Sequence, residues 1–581
     1  MQFTVEETKP ENVFTPEDFT SEHQMIRDTT KRFAEERVVP HREAIESQDF
    51  ALTVNLLREA GKLGLLAHSV PKEYGGLGLD KISKALVGEN IGCTSSYAVA
   101  HSNHTCIATL PITYFGTPEQ KEKYLPKLAS GEYLGAYCLT ESSAGSDALS
   151  AKTTAKLNRE GTHYLLNGSK QWITNAGFSQ TFIVYANVDG DKFTAFIVEK
   201  DFPGLILGNE EKKMGIHGSS TRTVIFEDCE VPVENVLGEI GKGHVIALNV
   251  LNLGRFNLGG VCLGAAKTAL ELTIKYTKQR KQFNQPIAAF KGTQEKLALM
   301  ASQIYTLESL QYRTAGLLEE SLHMINDNTD SSTVVKHLME YAAECSICKV
   351  FGSEVYDYVV DECVQLHGGY GFMREYRIEQ MYRDSRIKRI FEGTNEINRL
   401  LISSMIPRKI KNGDLSLEKA IKTMLSNENI TYVDFDHSIA LEFEIVRSMR
   451  KVFLLLTRLL LKLYRENFRE EQEALFKLSN LAIHLYAAES AVLRTQKAID
   501  AGCLPDDEIH WKKLLMKVAV YHSFIHVEVN AKQFIRGIEG DSSTESEIDV
   551  VEKELSKYKI RNEFAIKREI AAKLIENEKY I

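Results

Sequence analysis

Apolar positions recur at helical spacing from residue 21. Ser21 and Glu22 open a segment whose Met25, Ile26, Phe33 and Val38 share a face, and Pro40 stops it. VNLLREAGKLGLL, 54–66, repeats the pattern before the loop PKEYGGLGLD. Thr117-Pro118-Glu119 begins another helix with a cap and a first-turn proline. Near Gly135 the period shortens. GAYCLT, HYLLNGSKQWIT, TFIVYANV, KFTAFIVEK and TRTVIFEDCEV read as strands, and VDGD, 188–191, reads as a hairpin turn. The β pattern ends near Gly238. Residues 243–408 return to long helical segments, and the recurring Gly254, Gly259, Gly260, Gly264, Ala265 and Ala266 suit close helix contact. Residues 413–581 are helical once more.

This order predicts four units: a helical domain over 1–134, a β domain over 135–238, a helical bundle over 239–410 and a helical extension over 411–581. The chain of 581 residues is too long for one core. It is not a βαβ alternation, and no GxGxxG opens a helix, which argues against a Rossmann nucleotide domain. The stretch 448–467, SMRKVFLLLTRLLLKLYREN, is apolar on one side and basic on the other. It fits a bundle helix with a solvated face or a helix lying on a membrane surface.

Apolar content of 43% and charged content of 26% are those of a globular protein, and a net charge of −9 disfavours nucleic acid as the main partner. Nine cysteines over this length form no disulfide framework, and Cys345 and Cys348 read as packed helical thiols rather than a metal site. The first residues carry neither a secretory nor a transit pattern, and no uncharged apolar run reaches the ~20 residues a bilayer needs. The expectation is a reduced, cytoplasmic protein.

Candidate chemistry lies in five stretches. CLTESSAGSD, 138–147, is a strand followed by small hydroxyl residues whose donors suit a ring edge or a phosphate, or simply a surface loop. In QWITNAG, 171–177, Trp172 either covers a planar group or fills a core. In QRKQF, 279–283, Arg280 either completes a helix end or grips a pyrophosphate. QLHGGYGF, 365–372, reads either as glycines that let the backbone approach a bound group closely or as a helix cap and turn, with His367 a packing residue. In RIFEGTNEINR, 389–399, Ile390 and Phe391 suggest a buried element, Gly393 a sharp turn and Thr394 or Asn395 a helix cap. Glu392 between them should be desolvated and unusually basic.

In this order and spacing, YCLTESSAGSD, QWITNAG, RKQF, QLHGGYGF, YRDSRI and FEGTNEI resemble the acyl-CoA dehydrogenase family over the first 410 or so residues. The extension, with SSAGSD, VLNLGRF and IFEGTNEI, resembles the very-long-chain type. The resemblance implies a mainly α fold with a central β domain: an N-terminal helical domain, a β-barrel-like middle domain and a C-terminal four-helix bundle, plus the extra helical domain. It implies FAD as cofactor and α,β-dehydrogenation of acyl-CoA thioesters to trans-2-enoyl-CoA, with long chains and fatty acid β-oxidation as the setting. Glu392 would take the α proton while the β hydride passes to the flavin. Some members carry the base on an earlier helix, at the position of Gly254, which cannot serve. Tyr137, Cys138, Leu139, Thr140 and Ser146 would line the flavin, and Trp172, Ile173 and Thr174 would cover its ring. Arg280 and Phe283 would reach the FAD of a neighbouring subunit. Gln365, Leu366, His367, Gly368 and Gly369, with Thr394, Asn395 and Glu396, would hold its adenine and pyrophosphate side. Ser146, Asn252, Arg255 and Gly393 would contact substrate. Many members have Asp where Asn252 stands and Gln where Lys291 stands. Partners implied are an acyl-CoA, electron-transferring flavoprotein and a second copy in a homodimer, with peripheral membrane contact through the extension as an option. Competing expectations are an acyl-CoA oxidase using oxygen, a non-enzymatic scaffold of the same fold, and a nucleic-acid-binding relative, which the acidic balance disfavours.

Overall fold

In the computed structural model, residues 1–326, 329–413, 415–425, 436–538 and 544–580 are described. Thr20 accepts a hydrogen bond from the His23 N–H and starts α1 (Ser21–Phe33). Past Phe33 the helix widens into a π turn, Ala34–Val38, ahead of Pro40. Phe33 and Val38 are buried as the periodicity predicts, but Met25 is 63% exposed. After α2 (Phe50–Lys62), Asp80 caps α3 (Lys81–Ile91), and α4 (Ser96–Ser102) leads into a π turn, Asn103–Ala108. Thr117 and Gln120 form the capping box of α5 (Pro118–Ser130), with Pro118 in its first turn.

An 8-stranded sheet follows. Its strands are β1 (Gly135–Cys138), β2 (Thr154–Leu157), β3 (His163–Thr174), β4 (Thr181–Val188), β5 (Lys192–Glu199), β6 (Leu205–Glu210), β7 (Thr221–Pro232) and β8 (Val236–Leu237). The path runs β6-β7-β3-β2-β4-β5-β8, with β1 pairing on β4. Asp189 and Gly190, both at positive φ, close the β4–β5 hairpin where VDGD predicted it. Three strands escaped the sequence pattern. β2 and β6 are short and half-exposed, so neither shows a clean alternation, and β8 has only 2 residues.

The bundle contains α6 (Gly243–Gln279), α7 (Lys291–Leu322), α8 (Ala342–His367), α9 (Arg377–Ser385) and α10 (Asn395–Lys411). By length and composition α6 could cross a membrane, but its apolar window is 83% buried inside the protein. Gly264 shows what its small residues do: a Cβ there would lie 1.7 Å from the Glu89 carbonyl oxygen, so α3 and α6 meet backbone to backbone. Cys345 and Cys348 are buried, and no group of metal-ligating side chains exists among the described residues.

The extension adds α11 (Ala440–Tyr464), α12 (Gln472–Ala501), α13 (Asp506–Gly537), α14 (Glu545–Ser556) and α15 (Glu563–Asn577). Residues 414, 426–435, 539–543 and 581 of the expected extension lie outside the described residues. The 448–467 stretch packs as a bundle helix, one of its two sequence readings, but without the solvated face expected of it. Its apolar side, including Val452, Phe453 and Leu456, is buried among α12, α13 and α14. Its basic side is largely paired: Arg450 binds Glu489, Lys451 binds Glu554 and Arg458 meets Glu547, with Arg447 just before the stretch bound to Glu7.

Candidate functional site

The first wall of the site is the 138–147 loop, which is tied down from beneath. Lys170 on β3 is fully buried and donates to Glu141 Oε1 at 2.7 Å and to the Leu139 carbonyl at 3.3 Å. Glu141 also accepts from the Thr153 hydroxyl and from the amides of Lys152 and Thr153. Charged groups are buried stably only when paired in this way. The Gln171 N–H then donates to the Thr140 carbonyl at 2.9 Å, which joins the loop to β3.

A register shift between Lys170 and Ile173 follows at once. It puts Trp172 at φ 59° and leaves its indole 59% exposed at the mouth of a cavity. Trp172 is therefore not a core tryptophan. The bulge turns it out of the ladder while Ile173 stays buried.

The opposite wall is the Glu392 turn. A 3-10 segment, Arg386–Arg389, stops short of it, and the expected burial of Ile390 fails because that side chain is 46% exposed. Glu392 and Gly393 both take left-handed φ, 58° and 78°. For a glutamate this conformation is costly and has to be imposed by its surroundings. Arg255 Nε on α6 donates to the Glu392 carbonyl at 3.2 Å, Asn398 Nδ2 donates to the Gly393 carbonyl at 2.8 Å, and Lys349 Nζ reaches the same carbonyl at 2.8 Å. Thr394 Oγ1 then accepts from the Ile397 N–H and caps α10, as its sequence position predicts.

Glu392 points into a cavity of about 290 Å3. Its Oε2 is buried without a hydrogen-bond partner among the described residues. Burial pushes the carboxyl up to about 7, against the pull of Arg255 and Lys349. A group with that proton affinity suits general base work near neutral pH. A carboxyl used in this way has to be deprotonated, so a reaction that draws on it should slow as pH drops through about 7; a profile flat from pH 5 to 8 would contradict that use.

Gly254 on α6 faces the carboxyl from below. A Cβ built there would lie 2.7 Å from Glu392 Oε2 and 3.2 Å from Oε1, too close for either to stay. Gly254→Ala should slow turnover about tenfold by displacing the carboxylate, with folding unaffected by circular dichroism.

The cavity gathers Tyr137, Leu139, Thr140, Ser146, Trp172, Ile173, Thr174, Arg255, Glu392 and Gly393 from the expected site. Others lie apart from it. Cys138 is fully buried and its side chain packs in the sheet core. Asn252 sits behind the cavity wall, where its Oδ1 accepts from Arg255 Nη1 at 2.9 Å, so both side chains brace the turn. Thr394 serves as the cap, Glu396 is exposed outside the cavity, and the Asn395 side chain turns inward to Lys349, Ser353 and Glu354.

A second cluster forms where α6 and α8 end. Arg280 lies over the Tyr370 ring at 5.3 Å, and His367 stacks on Tyr276 at 4.1 Å, a packing role. Phe283 is 89% exposed, Gln365, Gly368 and Gly369 are also exposed, and Leu366 is half-buried. None of these lines the cavity.

Sequence reasoning missed Ser102, Asn103 and Cys106, which line the cavity from the first domain, and Lys349, which holds the turn. A lysine inside the apolar run CSICKVF was the available signal for the last. The cavity fits a flat, polar-edged ring. The indole of Trp172 stands at its rim, Thr140 and Thr174 line one wall, and Ser102 Oγ and Glu392 Oε2 are buried without partners among the described residues.

Family models for the N-terminal, middle and C-terminal domains of acyl-CoA dehydrogenases match residues 20–132, 136–229 and 241–406. A further acyl-CoA dehydrogenase C-terminal model matches 448–550. A probable acyl-CoA dehydrogenase of Bacillus subtilis is 49% identical over 100% of this chain and 98% of its own length. The mitochondrial very long-chain specific acyl-CoA dehydrogenase of Macaca fascicularis is 36% identical over 78% of this chain and 70% of its own. The crystal structure of an acyl-CoA dehydrogenase from Bacillus anthracis complexed with FAD superposes with a TM-score of 0.96 at 49% identity, covering 100% of this chain and 99% of that one.

Proposed function

From the premise that this chain belongs to the acyl-CoA dehydrogenase family and is an FAD-dependent enzyme of it, we propose that Glu392 is the base that takes the α proton of a long-chain acyl-CoA. The observation that carries the reading is the buried, unpartnered Glu392 Oε2 facing the Thr140–Trp172 wall across one cavity. FAD, when bound, supplies the acceptor for the β hydride. The residues fitted to hold it are Thr140, Ser146, Trp172, Ile173 and Thr174, and the gap between that wall and Glu392 takes the thioester. In this reading the Glu392 N–H polarises the thioester carbonyl, which acidifies the α carbon. Burial of the carboxyl sets its proton affinity, and the enclosing walls exclude water.

The long-chain preference draws on the similarity to very long-chain specific enzymes, which extends past the catalytic core. The second cluster, with Arg280, Phe283, Gln365, Leu366, His367, Gly368 and Gly369 beyond the cavity, fits a cofactor site completed by a second copy in a homodimer. We assign the setting to fatty acid β-oxidation with electron-transferring flavoprotein as acceptor. The test is anaerobic titration of the yellow protein with acyl-CoAs of graded length, followed by a dye acceptor. Bleaching by long chains with enoyl-CoA formation supports the reading. Rapid peroxide release in air would instead make the enzyme an oxidase, and no bleaching by any acyl-CoA would leave a scaffold.

A further inference from the structure

The turn that carries Glu392 is held from outside the catalytic core. Lys349 Nζ, fully buried on α8, donates to the Gly393 carbonyl at 2.8 Å and to Asn395 Oδ1 at 2.6 Å. Asn395 Nδ2 passes the contact on to Glu354 Oε1 at 3.0 Å. Arg399 on α10 then closes on Glu354 with both ends of its fork, at 2.8 and 2.9 Å. Its Nε donates to Asn480 Oδ1 on α12 at 2.7 Å. The Asn480 amide donates in turn to Asn530 Oδ1 on α13 at 2.9 Å, and Asn530 donates to the His526 carbonyl at 2.8 Å. Ser479 adds a hydroxyl bond to the Arg399 carbonyl.

Every donor along this path is spent on one partner group or two; Lys349, Asn395, Ser479 and Asn530 are buried, and Glu354, Arg399 and Asn480 between them are half-buried. Such networks fix geometry because a missing member leaves its neighbours unpaired in a low dielectric. The conformation at the far end is one that needs fixing: a glutamate at φ 58°.

We propose that the C-terminal extension is part of the catalytic apparatus: Asn480 is a positioning residue for Glu392, acting through Arg399, Glu354, Asn395 and Lys349. This rests on Glu392 being the base. It assigns the extension a role in the reaction itself, separate from any contact with a partner or surface.

The test compares Asn480→Leu, Asn480→Asp and Arg399→Lys as full-length FAD-loaded enzymes, by anaerobic stopped-flow reduction across pH. Asn480→Asp keeps an acceptor for Arg399; Arg399→Lys keeps a charge beside Glu354 but loses the Nε donor. The charged or titratable groups facing Glu392 or lining its cavity are Arg255 from α6, Lys349 from α8, Tyr137 from β1, Cys106 from the 103–108 turn and Lys388 from the 386–389 segment. None of these is altered, so a moved pH limb reports the carboxyl's position. The expected result is a rate about tenfold lower in Asn480→Leu and Arg399→Lys with KM little changed. The acid limb should move from about 7 toward the ordinary carboxylate range, and Asn480→Asp should restore both rate and limb. Wild-type rate and limb in Asn480→Leu would overturn the proposal. Should that variant not fold, the same result in Arg399→Lys would overturn it. A slowed rate with an unmoved limb and no rescue by Asp would overturn it too. A Glu392→Gln enzyme run alongside separates the two readings: inactive beside a normal Asn480→Leu, it removes only the relay; active, it removes the base and the relay together.

Discussion

Glu392→Gln should stay yellow, bind acyl-CoA and lose flavin reduction by about 10²- to 10⁴-fold. The amide keeps the length and nearly the shape of the carboxyl, so the left-handed turn and its bonds to Arg255, Asn398 and Lys349 survive. What is lost is the lone pair that takes the proton. The walls from Thr140 to Thr174 are untouched, which is why the cofactor should remain. Anaerobic stopped-flow measures the loss, and a reduction rate near that of the wild type would reject Glu392 as the base.

The largest effect on stability is expected from Lys170→Met. The side chain is similar in length and apolar, so packing is nearly kept while Glu141 loses the cation paired with it among the described residues. Three hydrogen bonds from Lys152 and Thr153 remain, but the charge is left buried and uncompensated. Breaking one partner of such a pair costs about 3–5 kcal/mol. Denaturant unfolding followed by flavin fluorescence should show earlier cofactor release, because the same contact holds the 138–147 loop. The double variant Lys170→Met, Glu141→Gln should recover part of the loss, since the orphaned charge is gone. Equal instability of the single and double variants would mean that packing, not charge, is at stake.

Local signals in the sequence were read well where one residue type has one physical reason to be there. Thr394 capping α10, the Asp-Gly hairpin at 189–190 and the proline start of α5 are of this kind. Contacts between distant parts of the chain were not legible. The basic face of α11 looked solvated because its partners are remote in sequence; Arg447 meets a glutamate 440 positions away. Trp172 alone gave no sign of a bulge, since the register shift depends on how β3 lies on β7. The family pattern puts Asn252 and Asn395 near the ligand but gives no sign of the bonds their side chains make, to Arg255 and to Lys349. Lys349 stands out as a lone cation in an apolar run, but such a cation gives no hint of which carbonyl it will meet.

The cavity is bounded by Ser102 and Cys106 from the first helical domain, by Thr140 and Trp172 from the sheet, and by Gly254 and Glu392 from the bundle. No single domain owns it. A molecule bound there touches all three at once and acts as a rivet between them, beside a core that already runs through all three. Ligand occupancy thus strengthens the joint as well as filling the site. At a hundred times its dissociation constant a ligand that binds only the folded form adds about 2.7 kcal/mol, and here that gain falls on the seams between domains, where a multidomain chain first comes apart.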